Sequence, residues 1–176
     1  MSLTTLDIKE PGLNILPPGV ERHVVNAGGL TGLQIFPDDE IEIINDEGNQ
    51  ICEIICFDKD GKSELAILNL KENSNKSFIK EILKKKDESS LATNFQLKKR
   101  NLDLNKSHSS ILFDEKTPSG EKIKLKSKDK CYVIFSAPQN DMLVSEQNPS
   151  GDLILFVKRA KIINDKELSI IPDPVF

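Results

Sequence analysis

Apolar residues along this chain fall in short runs with a period of two, and that spacing predicts strands. Over residues 40–44, Glu40 and Glu42 alternate with Ile41 and Ile43, the pattern of a half-buried strand. After the turn Asp46-Glu47-Gly48-Asn49, one face of the next run carries Ile51, Glu53, Ile55 and Phe57 and the other Cys52, Ile54 and Cys56. Both of its faces are therefore expected to be buried, as in a closed barrel or a sandwich. The two runs read as a hairpin, followed by a second acidic glycine turn at Asp58-Lys59-Asp60-Gly61.

Either side of this stretch the same signals recur. Pro11, Gly12, Pro17, Pro18 and Gly19 make residues 8–19 an extended arm, since proline removes ladder donors. A strand is expected over 21–26, a glycine turn over 27–32 and a strand over 33–36 that stops at Pro37. Residues 64–70 resume an apolar run. From 71 to 110 the chain is dense in Lys, Asn and Ser, and Phe78, Ile79, Ile82 and Leu83 suit one face of a short helix. Ser74 or Ser77 would cap it, and Lys84, Lys85 and Lys86 suit its negative end. Residues 91–104 are less regular, a second weak helix or an insertion packed on the sheet. Strands return at 110–114 and 121–126, read as a hairpin with one solvated face, and at 130–137 and 152–158, read as partners across the loop 138–151. A last short strand is expected over 162–171, and 170–176 is a proline-spaced linker or a simple extended tail. Together these predict one mainly β domain over 1–176, a β-barrel or β-sandwich of about eight to ten strands with one or two short inserted helices.

Composition narrows the function classes. A net charge of -4 supplies no electrostatic reason to expect nucleic acid or an anionic membrane as partner. No run approaches the ~20 apolar residues of a membrane span, and the first residues lack a basic, then apolar leader, so a cytoplasmic protein is expected. Three cysteines, Cys52, Cys56 and Cys131, suit a reducing compartment. On one strand, Cys52 and Cys56 would stand about 13 Å apart, beyond the reach of a disulfide or a shared zinc ion. All three are expected to pack as small apolar groups.

Chemistry-bearing residues are few. His23 and His108 lie in unlike contexts, and no HxH, HxxxH or CxxC spacing builds a metal site. No serine sits in a G-x-S-x-G elbow, and the run Ala27-Gly28-Gly29-Leu30-Thr31-Gly32 lacks the lysine of a phosphate loop. Glu53, in line with Ile51, Ile55 and Phe57, either faces a polar cavity, finds a partner, or lies on an edge strand and reaches water. Buried, it would be placed to act as a general acid. Asp141, after the strongest strand of the second half, is the other candidate, as a site residue or as a turn residue.

The run Asp46-Glu47-Gly48-Asn49-Gln50, with Glu53 and Phe57 after it and with Ala27-Gly28 and Asp38 before it, resembles the urea carboxylase-associated family. That family carries a run resembling D-x-x-G-N-Q-x-x-D with a phenylalanine four residues on. The likeness covers about forty residues, and a weaker one spans 129–157, where a strand precedes Asp141 and Asn148-Pro149 leads into the last long strand. Some members are fused to aminomethyltransferase (glycine-cleavage T-protein-like) domains, including enzymes that demethylate trimethylamine oxide. The resemblance implies a β-rich module in folate-linked amine or one-carbon metabolism. Its ligand or partner surface would lie near Asn49, Gln50, Glu53 and Asp141. The family's acidic residue is here the longer Glu53, and its Gly-Arg-His-Asp segment and Cys-Pro step have no counterpart over 71–151. The implied module therefore has no metal and no cofactor of its own, with folate expected only in an associated domain. Its expected partners are a small molecule or an aminomethyltransferase-like domain, and a homo-oligomer is compatible. Two alternatives remain: an enzyme domain acting on a small amine or amide with Glu53 and Asp141 as acid and base, and a structural subunit without ligand.

Overall fold

The computed structural model describes residues 16–73, 78–84, 87–139 and 151–161. The described residues contain eight strands in two four-stranded antiparallel sheets. The first sheet has the order β1 (Val20–Val25), β8 (Leu153–Lys158), β3 (Glu40–Asn45), β6 (Glu121–Lys126). The second has β2 (Leu30–Ile35), β7 (Cys131–Ser136), β4 (Cys52–Asp58), β5 (Ser109–Leu112). The sheets stay open and stack as a sandwich, which selects the sandwich from the two expected architectures. Two helices, α1 (Phe78–Leu83) and α2 (Glu88–Lys99), lie between β4 and β5 in the chain.

Two cores divide the molecule into three layers. Ile41, Ile43, Leu155 and Val157 of the first sheet meet Leu33, Cys52, Ile54, Cys56, Val133 and Phe135 of the second. On the second sheet's opposite face, Leu30, Ile55, Phe57, Tyr132 and Ile134 pack against Ile79, Ile82 and Leu83 of α1 and Leu97 of α2. This is why β4 is apolar on both faces: it is an interior strand of the middle layer, buried from Cys52 to Phe57. The first sheet's outer face is more solvated, and β6 alternates Ile123 and Leu125 with lysines as its sequence predicts.

Three expected pairings are corrected. β3 and β4 do not form a hairpin: Asn45 pairs with Glu121 and Leu153 in the first sheet, whereas Cys52 pairs with Leu112 in the second. Likewise β5 and β6 lie in different sheets, and β7 pairs with β2 and β4 while β8 pairs with β1 and β3. The cause is common to all three. Both strands of each supposed pair point apolar residues at the core between the sheets, and a period of two specifies the buried face but not the neighbour. The glycine turn is also shorter than expected, since β2 already begins at Leu30. Residues Leu65–Leu68 of the 64–70 run form a 3₁₀ turn, ended by Asn69 in the left-handed conformation at φ 58°. α1 is present as its spacing predicts, and α2, over Glu88–Lys99, selects the helix from the two readings of the less regular 91–104 stretch and begins earlier than that stretch. Ser74, Ser77, Lys85, Lys86, most of the N-terminal arm, the expected strand over 162–171 and the 170–176 tail lie outside the described residues.

A charged clamp joins the two sheets at one end. Arg159, just after β8, has a side chain only 9% exposed. Its Nε and Nη2 donate to Glu21 at 2.8 and 3.1 Å, and Nη1 donates to the Asp39 carboxylate and the Gln34 carbonyl, both at 2.8 Å. Asp39 in turn accepts from the Phe36 and Ala160 amides. Burial alone would raise the Glu21 pKa, but hydrogen bonds from His23 and Arg159 and the Arg159 charge outweigh it and hold the carboxyl at about 2. Because the folded value lies below the ordinary 4.5, this stabilisation is complete above pH 4.5 and fades as pH falls toward 2. With its partial exposure, we expect Glu21→Gln to cost about 1 kcal/mol at neutral pH. In urea unfolding followed from pH 7 downward, the gap to wild type should close below pH 4.5. A gap constant with pH would refute the clamp's electrostatic role.

Candidate functional site

The most patterned segment of the sequence is an arch between sheets. At Gly48 the chain takes φ 80°, and an added Cβ would lie 2.7 Å from the Ser119 nitrogen and 2.9 Å from the Thr117 carbonyl. Glycine is required there by both conformation and space. Asn49 follows at φ 59°, a left-handed conformation asparagine tolerates, and its amide donates to the Thr117 carbonyl at 2.7 Å. Gln50 is fully buried. Its Nε2 donates to the Pro138 and Ile51 carbonyls, and its Oε1 accepts from the Gly151 amide, all at 2.8 Å. One side chain thus clips together the two ends of the 138–151 loop. Asn45 Nδ2 holds the Gln50 carbonyl at 2.7 Å.

Glu53 neither faces water nor lies on an edge. It is fully buried on the helix-facing side of β4, opposite Ser136 of β7 and Ile111 of β5. Its Oε2 accepts from the Phe78 amide at 2.7 Å and its Oε1 from the Ile79 amide at 3.1 Å. These are first-turn N–H groups of α1, which have no partner within the helix, and the helix dipole there favours negative charge. The carboxylate anchors the start of α1.

The candidates within the described residues serve separate local contacts. Asn49 and Gln50 shape the arch, Glu53 holds α1, and Asp141 with Asn148 and Pro149 lies outside the described residues. His23 pairs with Glu21 on β1, and His108 Nδ1 meets Glu72 at 2.8 Å on the surface. All three cysteines are free and buried, and burial pushes the Cys52 thiol upward. Cys56 interacts with Cys131 across β4 and β7 rather than with Cys52 on its own strand. Among the described residues, no group of three or more His, Cys, Asp or Glu is arranged to hold a metal ion. No helix among them is long and apolar enough to cross a membrane.

One polar group escapes sequence reading. Gln34 Oε1 accepts from Arg100 Nη1 at 2.6 Å, and the Arg100 guanidinium lies 4.6 Å from the Tyr132 ring centre. Gly32 admits that tyrosine, because a Cβ there would meet its hydroxyl at once. A glutamine between Leu33 and Ile35 is the one local signal of this arrangement.

No family model matches the chain. It is 30% identical over 168 residues to a trimethylamine-oxide aldolase of Ruegeria pomeroyi, a match covering 96% of this chain and 21% of that protein. The chain thus spans about a fifth of that relative's length. A crystal structure of a DUF1989 family protein from Silicibacter pomeroyi superposes with a TM-score of 0.49 at 10% identity, over 91% of this chain and 93% of that one.

The geometry makes Glu53 a stability determinant. Glu53→Ala leaves one buried and one part-buried N–H group without their acceptor and should cost about 3 kcal/mol, whereas Glu53→Gln keeps one acceptor and should cost about 1–2 kcal/mol. Urea unfolding at neutral pH measures both, and an Ala variant within about 0.5 kcal/mol of wild type would rule out the anchor. Gly48→Ala, strained at φ 80° and against the Ser119 backbone, should destabilise by about 2 kcal/mol or more.

Proposed function

We propose that this chain is a β-sandwich module of an amine-metabolising enzyme, related to the urea carboxylase-associated (DUF1989) family, and that it supports catalysis carried out on a companion domain. The observation that carries this reading is the match of nearly the whole chain to one fifth of a trimethylamine-oxide aldolase. In that relative the equivalent segment is one part of a much longer polypeptide. The companion we envisage is an aminomethyltransferase-like domain, where any folate would bind.

The geometry supports a non-catalytic role for the module. Glu53 and Gln50 use their polar atoms on backbone groups, which suits positioning rather than proton transfer. The scattered histidines and buried thiols favour a module that works without its own metal.

The reading is tested with the Ruegeria pomeroyi aldolase deleted of its matching segment, its fold checked by a cooperative melt. Adding the present chain should raise consumption of trimethylamine N-oxide at least about tenfold, a gain of about 1.4 kcal/mol in the barrier. No gain would refute the module reading. Elemental analysis of the purified chain should find zinc and iron well below one per chain, and a stoichiometric metal would overturn the metal-free part.

A further inference from the structure

Helix α2 has its polarity inverted. Its buried face carries Ser90, Thr93, Gln96 and Leu97, while Leu91 and Phe95, four residues apart on the opposite face, are 56% and 62% exposed. A surface helix in a finished domain directs its large apolar residues inward. Here Thr93 Oγ1 and Gln96 Oε1 are buried without a hydrogen-bond partner while a leucine and a phenylalanine face out. Lys98 continues the Leu91–Phe95 stripe one turn on, with Lys99 beside it, both exposed.

Charge is divided in the same way. Residues 71–110 hold ten Lys and Arg against five Asp and Glu, a net of +5, in a chain whose total is -4. The rest of the chain therefore carries -9. Within α2 the positive charge lies beside the apolar pair, at Lys98 and Lys99 of the last turn, while Glu88 stands at the first turn. An apolar pair flanked by the exposed Lys98 and Lys99 fits an acidic surface with an apolar centre.

We propose that the outer face of α2, centred on Leu91 and Phe95 and rimmed by Lys98 and Lys99, docks the module onto an acidic, apolar-centred surface of its companion catalytic domain. This rests on the module reading above. In the long relative four fifths of the polypeptide lie outside the matched segment. Phe95 supplies the anchor, the lysines steer the approach, and α2 transmits the contact to the middle sheet through Leu97 and the Arg100–Tyr132–Gln34 group.

The test measures binding of the intact chain to the same segment-deleted aldolase by biolayer interferometry at low and high salt, with sedimentation velocity of the chain alone. Leu91→Glu and Phe95→Glu should each weaken binding at least about tenfold, with melting unchanged because both residues are exposed. A Lys98→Glu/Lys99→Glu variant should weaken it less and flatten its salt dependence. Unaltered affinity in the glutamate variants, with wild type still restoring turnover, overturns the docking face and leaves the module reading intact. A wild-type dimer that Phe95→Glu dissociates also overturns it, in favour of a second copy. Failure of the wild-type chain to bind or to restore turnover overturns both.

Discussion

Two N–H groups at the start of a six-residue helix reach a carboxylate that rises from the middle of a sheet, and the third layer of the molecule depends on that contact. A helix of this length has no independent stability in water, since nucleation costs more than its few hydrogen bonds return. α1 persists because Glu53 satisfies its N-terminal donors while Ile79, Ile82 and Leu83 bury against Ile55 and Phe57. α2 then builds on α1: Ser90 donates to the Ile82 carbonyl and Asn94 to the Leu83 carbonyl. A single buried carboxyl group thus sets the order of dependence from β4 to α1 to α2, and its place is fixed because β4 lies between two neighbours.

How much of this the sequence discloses follows from what periodicity encodes. It identifies β6 with its bounds, the two buried faces of β4 and the helix over Phe78–Leu83, because each depends on local spacing. Strand partners are not local. Three supposed neighbours sit in opposite sheets, joined by arches whose turn residues look like those of hairpins. Gly48 and Asn49 adopt positive φ in an arch as they would in a hairpin, so turn chemistry alone does not separate the two.

The same limit governs the candidate site. The place of Glu53 among Ile51, Ile55 and Phe57 leaves burial and a solvated edge both open in sequence, because the partners that decide it lie twenty-five residues away at a helix start. Gln50 reads as a possible ligand residue because it is polar within a distinctive run, yet its partners at Pro138 and Gly151 are distant carbonyl and amide groups. Arg159 and Asp39 give no signal of their pairing across 120 residues of sequence. The residues of the distinctive run also fasten the chain where it crosses from sheet to sheet.

These fasteners are unevenly distributed, and that unevenness bears on how the module works. The sandwich has a largely apolar core, with Asn45 buried at the end of β3, and a charged clamp at its rim. The α2 layer rests on one leucine, a guanidinium over a tyrosine and buried groups that include the unpartnered Thr93 Oγ1, Gln96 Oε1 and Tyr132 hydroxyl. Each such group costs about 1–3 kcal/mol unless something satisfies it. α2 should accordingly open more readily than β4 or β7, which amide hydrogen exchange would report as faster exchange over Glu88–Lys99. A partner that covers Leu91 and Phe95 binds only the closed arrangement and so stabilises it by mass action. The layer least well held by the sandwich is then the one whose order depends most on being docked.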